Sequence, residues 1–92
     1  MEMRITYDPA KRQRTLEERD LDFKDADKVF AGRHFNSPDI RRDYGENRVI
    51  SVVLLNNVVV VLVWTPRENA RRIISMRKAD AEERATYRNK LD

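Results

Sequence analysis

Two β-branched runs separated by Asn56-Asn57 constrain this chain more than any other feature of its sequence. The first run covers residues 49–55 and the second covers residues 58–64. Asparagine tolerates the positive φ angles that both central residues of a type I′ turn adopt, and such turns join the two strands of a hairpin. The pattern therefore predicts a tight β-hairpin over residues 49–64.

Both faces of the predicted hairpin are apolar, because neither run alternates hydrophobic with polar residues. A sheet with one face in water would show that alternation. Residues 71–78 follow Thr65-Pro66 and predict a third strand, which completes an antiparallel meander. One face of this sheet is expected to lie under the preceding helices. The other face must be covered by the C-terminal helix, by a partner chain, or by both.

The remaining segments predict a single α+β domain over residues 1–92, with an antiparallel β-sheet, two N-terminal helices and one C-terminal helix. Short strands are predicted over residues 3–7, at a sheet edge, and over residues 35–38. Asp8-Pro9 is typical of a helix start, since aspartate caps free N–H groups and proline suits the first helical position. Asp80 and Glu83 fit a capping box at the start of the last helix.

The second helix is predicted to begin at Asp22 and to end at Gly32 in a left-handed conformation. Its buried face is predicted to comprise Phe23, Ala26, Val29 and Phe30. Asp22, Asp25 and Asp27 lie in its first turn, where acidic residues stabilise the helix dipole. They are therefore interpreted as helix-start residues rather than as metal ligands.

Charge is unevenly distributed along the chain. The 92 residues carry a net charge of +3, and residues 65–78 alone hold five Lys/Arg against one Asp/Glu. A focused basic patch attracts phosphate, so the charge favours a nucleic-acid partner, with an acidic protein partner or a solvated strand end as alternatives. The chain has no cysteine and shows no apolar signal-peptide segment, so a cytoplasmic protein is expected.

A series of motifs resembles a known family. In chain order they are a strand followed by DPAK, LDF with an AxxVF stripe, a DYGExR loop, the Val-rich hairpin and RRIISMRKA. Over residues 5–88 the chain resembles the BrnT family, the ribonuclease toxins of BrnT/BrnA type II toxin–antitoxin systems. The resemblance implies a RelE-like fold, RNA cleavage, and a hetero-oligomer with a BrnA-like antitoxin that binds DNA through a ribbon-helix-helix domain.

The family pattern falls on a defined set of positions: Lys11, Phe23, Gly45, Glu46, Arg48, Arg72, Ser75 and Arg77. The chain departs from it in the first helix. Many relatives carry an Asn and a Lys-His-Gly run there, where this chain has Thr15 and Glu18-Arg19-Asp20.

Metal-independent RNA cleavage needs a base for the ribose 2′-OH and cations for the charge that develops on phosphorus. His34 is the only histidine, so a mechanism with two histidines lacks a partner. Glu46 is the candidate base, provided that its pKa is raised, and Arg48 and Arg77 are candidate phosphate clamps. No cofactor is expected. Further RNA contacts are predicted for Tyr44, Arg67, Arg71, Arg72 and Ser75.

The predicted third strand poses a geometric problem. Arg72 and Arg77 are five residues apart, so regular pleating directs them to opposite faces of the sheet, with Ile74 and Met76 on the face of Arg72. A β-bulge would bring the two arginines to one face, but the sequence does not reveal one.

Two other functions fit the same residues. A non-catalytic RNA- or DNA-binding module would use the basic patch and would need no carboxylate near it. As a separate structural alternative, Arg48 and Arg72 could pair with Asp43 and Glu46 to hold the loop. A protein-interaction subunit would use the doubly apolar sheet. Binding without cleavage would indicate the first, and folding only with a partner would indicate the second.

Overall fold

The strands and helices follow one another in the order that the sequence predicts. The computed structural model describes residues 3–91, so residues 1, 2 and 92 of the predicted domain lie outside the described part. The elements are β1 (Arg4–Thr6), α1 (Pro9–Arg19), a 3₁₀ turn (Phe23–Asp25) that leads into α2 (Ala26–Phe30), β2 (His34–Pro38), β3 (Val49–Leu55), β4 (Val58–Arg67), β5 (Ala70–Lys78) and α3 (Ala81–Leu91). The predicted α+β class is confirmed.

Within residues 3–91 the strands form one five-stranded sheet in the order β1-β5-β4-β3-β2. Strands β2 to β5 pair antiparallel, as the meander predicts. Strand β1 instead pairs parallel to β5, with Arg4 opposite Ala70 and Thr6 opposite Arg72. The sheet is therefore mixed, because α1 and α2 carry the chain from one sheet edge to the other before the meander begins. A three-residue strand carries no signal for its direction.

The hairpin turn has the predicted backbone. Leu55 pairs directly with Val58, and Asn56 and Asn57 have φ angles of 48° and 68°. Arg88 of α3 donates to the carbonyl oxygen of Asn57 at 2.7 Å and to its Oδ1 at 2.6 Å. The turn therefore also anchors the C-terminal helix.

Both faces of the sheet are covered, as the doubly apolar strands require. On the first face, the buried face predicted for the second helix packs against β3, β4 and β5. The resulting core cluster includes Phe23 and Ala26 from the helical segment and Val60, Leu62 and Met76 from the strands. On the second face, α3 packs Leu91 and Tyr87 against a cluster that contains Val52, Val59 and Val61. The sequence did not decide whether this face is covered by the C-terminal helix or by a partner chain. The C-terminal helix covers part of it.

The helix ends follow the sequence signals, with one exception. The side chains of Asp8 and Asp22 accept hydrogen bonds from Ala10 N and Lys24 N. The prediction that Gly32 adopts a left-handed conformation is wrong. Helix α2 ends through Ala31 at φ −76°, and Gly32 N donates to Val29 O in a tightened last turn that needs no positive φ.

A β-bulge in β5 decides which arginines share a face. Val63 pairs with Ser75 and the next residue, Trp64, pairs with Ile73, so Ile74 is the extra residue. Beyond the bulge Met76 lies on the face of Ile73, contrary to regular pleating. Arg72, Ser75 and Arg77 are opposite Thr65, Val63 and Val61, alternate residues of β4. They therefore share the α3 face of the sheet.

The turn provides a test of the fold. Replacing the exposed Asn56 by valine places a β-branched residue at positive φ, and we expect the free energy of unfolding to fall by about 1–2 kcal/mol. Asn56→Gly is the control, because glycine adopts this conformation without strain. Urea denaturation of both variants measures the difference, and equal stabilities would contradict the turn assignment.

Candidate nucleic-acid interface

Glu46 lies between two arginines at the end of the sheet. Its Oε2 accepts from Arg48 Nε at 3.1 Å and its Oε1 accepts from Arg67 Nη2 at 2.7 Å. Arg48 belongs to the loop before β3, whereas Arg67 ends β4. The carboxylate therefore joins the loop to the sheet, and it holds two guanidinium groups, one on each oxygen.

The loop that carries Glu46 is held in place by its own side chains. Asp39 is buried, accepts two hydrogen bonds from the Arg41 guanidinium, and donates its backbone N–H to Arg48 O at 2.9 Å. Gly45 turns the chain at φ 71°. The Arg48 guanidinium covers the ring of Tyr44, 4.0 Å from its centroid. A nucleobase can therefore stack on Tyr44 only from a side that Arg48 leaves open.

The environment of Glu46 lowers its pKa. The hydrogen bond from Arg48 is the main cause, and the charge of Arg67 adds to it, against an opposing effect of burial. Glu46 is therefore a carboxylate anion at neutral pH and a weak base in this state. The raised pKa that the sequence-based mechanism requires is absent while both arginines remain on the carboxylate.

A groove opens next to Arg67 on the α3 face, with a volume of about 740 Å³. We call it the arginine groove; it is lined by Arg4, Thr6, Pro66, Arg67, Glu68, Ala70 and Arg72. Arg72 is half-buried and has no hydrogen-bond or ionic partner within the described residues. Three guanidinium groups around one concave surface suit an anion with several oxygen atoms, such as a phosphodiester.

Arg77 lies on the same face but away from Glu46. Its strand partner is Val61, six residues before Arg67 on β4, which corresponds to about 20 Å along the strand. Both terminal nitrogens of Arg77 donate to Glu83, at 2.7 and 2.8 Å. Ser75 lies between Arg72 and Arg77 on the strand. The structure therefore brings Glu46 together with Arg48 and Arg67, but not with Arg77.

Arg71 lies on the opposite face of the sheet. Its guanidinium stacks on Phe30 at 4.1 Å and lies 5.2 Å from the ring of Trp64, and burial lowers its pKa. Its Nε has no hydrogen-bond partner within the described residues. Trp64 is buried in the core on this face and donates to Ser51 Oγ at 2.7 Å.

Sequence reasoning missed Arg4 as a residue of this surface. It enters the arginine groove only because β1 pairs parallel to β5, and no motif marks that pairing. The sequence also allowed an alternative in which Arg48 and Arg72 pair with acidic residues only to hold the loop. Part of it is observed, because Arg48 pairs with Glu46. Asp43 instead accepts from the backbone N–H of Gly45 at 2.9 Å.

Two features are missing from residues 3–91. No group of three or more His, Cys, Asp or Glu side chains is arranged to hold a metal ion there. Among the helices of this part, none has the length and apolar character needed to cross a membrane.

A small α+β domain that gathers guanidinium groups around a groove is typical of a protein that binds nucleic acid. The family model described as "Ribonuclease toxin, BrnT, of type II toxin-antitoxin system" matches residues 7–83. The chain belongs to this family of ribonuclease toxins. No protein with a curated description matches the chain.

The pair formed by Arg77 and Glu83 predicts a pH dependence of stability. The hydrogen bonds from Arg77 lower the pKa of Glu83 from 4.5 to about 2. A depressed pKa contributes stability that is complete above about pH 4.5 and is lost as the pH falls towards 2. We expect Glu83→Gln to lower the free energy of unfolding by about 1 kcal/mol at pH 7, since the pair is partly exposed.

The difference between wild type and Glu83→Gln should disappear in urea denaturation near pH 2. Glu82→Gln is the matched control, because it removes the same charge from the same helical turn without breaking an ion pair. If the free energy of unfolding of Glu83→Gln stays below that of the wild type by a constant amount from pH 7 to pH 2, the assigned ion pair between Arg77 and Glu83 is contradicted.

Proposed function

We propose that this chain is the toxin of a type II toxin–antitoxin pair and that it cleaves RNA internally, in the cytoplasm, without a metal ion. The observation that carries the proposal is the position of Glu46, which Arg48 and Arg67 hold. Arg67 also lines the arginine groove, where Arg72 has no anionic partner among residues 3–91. Family membership supports a ribonuclease, and the geometry supports it further because a carboxylate and two guanidinium groups meet at one place.

The phosphodiester backbone is the group that fits the arginine groove. Arg67 and Arg72 line it, and the side chain of Arg67 is 56% exposed although it pairs with Glu46. An exposed ion pair contributes little stability, so a phosphate can take over Arg67 at small cost. Guanidinium groups then bind the non-bridging oxygens in a bidentate manner.

Binding of phosphate would change the chemistry of Glu46. When Arg67 and Arg48 turn from the carboxylate to the phosphate, the interactions that lower the pKa of Glu46 weaken, while the bound RNA adds negative charge and excludes water. All three effects raise the pKa. The substrate itself would thus convert the resting carboxylate into a more effective base.

The reaction that follows is an in-line displacement at phosphorus. Glu46 takes the proton of the ribose 2′-OH, the 2′-oxygen forms a bond to phosphorus, and the bond from phosphorus to the 5′-oxygen breaks. The leaving 5′-oxygen takes a proton from water, and the products are a 2′,3′-cyclic phosphate and a 5′-hydroxyl end. Arg48 and Arg67 stabilise the charge on the equatorial oxygens, where preorganised donors have their largest effect.

The other candidate residues receive binding roles. Arg72, Ser75 and Arg77 follow one another along the α3 face, so we assign Arg77 to a flanking phosphate rather than to the reacting one. Arg41 adds positive charge near Arg77. Its charge lowers the pKa of Arg77, whereas the hydrogen bond to Glu83 raises it. Tyr44 supports Arg48 through its ring, and Arg71 does not enter the arginine groove.

The inhibitor is proposed to be a BrnA-like antitoxin with a DNA-binding ribbon-helix-helix domain, as the family resemblance implies. The same guanidinium groups would attract acidic residues of such a partner, because a site that binds phosphate also binds carboxylate. A RelE-like fold is part of the same proposal.

Non-catalytic RNA binding is the second candidate, and one observation favours it. The lowered pKa of Glu46 suits a residue that only organises two arginines. The two candidates differ in whether the folded wild type cleaves RNA or only binds it.

Cleavage by the wild type separates the two candidates, and substitution of Glu46 tests the assigned base. Glu46→Gln keeps an amide oxygen for one arginine but loses the base, and we expect the rate of RNA cleavage to fall by about 10²–10⁴-fold. Single-turnover cleavage of a labelled single-stranded RNA measures the rate, in the presence of EDTA. Wild type should cut equally well with and without the chelator.

Glu18→Gln is the control, because Glu18 is exposed on α1 and has no partner within the described residues. It should cut at the rate of the wild type. If folded Glu46→Gln also cuts at that rate, the assigned base is wrong; loss of activity in EDTA would refute the metal-independent mechanism.

Arg72 provides a test of the phosphate contact. We expect Arg72→Ala to weaken binding of a 2′-O-methyl RNA, which cannot be cleaved, and to reduce the slope of log K against log salt by about 0.7. Arg14→Ala removes one exposed charge from α1 and should leave the slope unchanged. Equal slopes for wild type and Arg72→Ala would show that Arg72 binds no phosphate.

A further inference from the structure

A second, smaller groove lies on the face of the sheet opposite the arginine groove, at the same end. Its volume is about 360 Å³, and we call it the amide groove. The residues that matter here are Asn36, Pro38, Asn47, Arg48, Val49 and Trp64. The cross-strand pairs Pro38 with Val49 and Val49 with Trp64 give it an apolar floor.

A chain of hydrogen bonds fixes one polar group of this groove. The indole N–H of Trp64 donates to Ser51 Oγ at 2.7 Å, and the Ser51 hydroxyl donates to Asn36 Oδ1 at 2.6 Å. Ser51 is completely buried, so the inner hydrogen bond from Trp64 is shielded from water, whereas Asn36 lies at the surface. The amide oxygen of Asn36 is thus occupied, whereas its NH₂ group has no partner within the described residues.

These features suit a flat ring with hydrogen-bond acceptors on its edge. The proline, valine and tryptophan side chains provide apolar contact, and the asparagine NH₂ group donates to ring nitrogens or carbonyl oxygens, a common way to read base edges. Asn47 adds a second side-chain amide without a partner in the part of the chain described. A nucleobase has this chemistry.

Arg48 connects the two grooves. It lines the amide groove and donates to Glu46 Oε2, while Glu46 Oε1 accepts from Arg67, which lines the arginine groove. A ligand with a base in one groove and a phosphate in the other would therefore pass over Glu46 at the end of the sheet.

We propose that the amide groove binds one nucleobase of the single-stranded RNA whose backbone occupies the arginine groove, and that Asn36 determines which bases are accepted. This inference rests on the proposed function, because it assigns base preference to the same site. Bases that present an acceptor to the Asn36 NH₂ group are preferred over an abasic position.

Trp64 reports directly on this groove, since it is the only tryptophan of the chain. The full chain is titrated with 2′-O-methyl RNA tetranucleotides and with an abasic tetranucleotide of the same charge, while Trp64 fluorescence is recorded. We expect base-containing probes to change the emission at concentrations about tenfold or more below those at which the abasic probe does. Identical curves for the two kinds of probe would overturn the proposal.

The variant Asn36→Asp tests the role of the amide. It keeps an oxygen that accepts from Ser51 but replaces the NH₂ donor by a second oxygen. We therefore expect that base-containing probes no longer bind this variant more tightly than the abasic probe does. Asn89→Asp introduces the same charge on an exposed residue of α3 and should retain that advantage. Thermal unfolding of both variants confirms that they are folded. An unchanged advantage in Asn36→Asp would overturn the proposal.

Sequencing of cleaved RNA ends separates this inference from the proposed function. If wild type cleaves RNA and Asn36→Asp cleaves with the same base preference at the cut site, the amide groove is not the base site although the nuclease assignment stands. If wild type shows the base-dependent fluorescence but no cleavage, the groove assignment stands and the nuclease assignment fails.

Discussion

The central strand β4 sets the constraint on which the rest of the structure depends. Its residues from Val59 to Thr65 are all buried, so both of its faces must be covered. The segment from Leu21 through α2 covers part of one face and α3 covers part of the other. This burial is the main source of stability in so small a chain. The polar chemistry is consequently displaced to the end of the sheet and to the strands β5 and β1.

At that end of the sheet the arrangement of charge is unusual for a surface. Positive charge is in excess, because the single carboxylate of Glu46 is shared by Arg48 and Arg67, and Arg72 has no anionic partner within residues 3–91. The shared carboxylate holds both guanidinium groups at one place. A phosphate that enters the arginine groove finds Arg72 open and Arg67 in an exposed pair that is easily exchanged.

The sequence predicted the parts of the fold that local chemistry decides. The Asn56-Asn57 turn, the Asp8 and Asp22 caps and the covered faces of the hairpin follow from backbone preferences and from hydrophobic patterning, which act over a few residues. The bulge at Ile74 and the parallel pairing of β1 depend on the packing of the whole sheet. No residue pattern marks them, so the shared face of Arg72 and Arg77 and the place of Arg4 could not be predicted.

For the candidate site, the sequence nominated Glu46, Arg48 and Arg67 and raised a contact between Arg48 and Glu46, but it did not anticipate the contact of Arg67 with Glu46. It grouped Arg77 with Glu46 from the family pattern and from guanidinium chemistry, neither of which contains the distance along the strand. The most direct test of the account is the pKa of the Glu46 carboxyl group, measured by ¹³C NMR titration without and with a 2′-O-methyl RNA. We expect a value below the ordinary one in the free chain and a rise when RNA is bound. An unchanged pKa in the complex would contradict the account, because Arg48 and Arg67 would then have remained on Glu46.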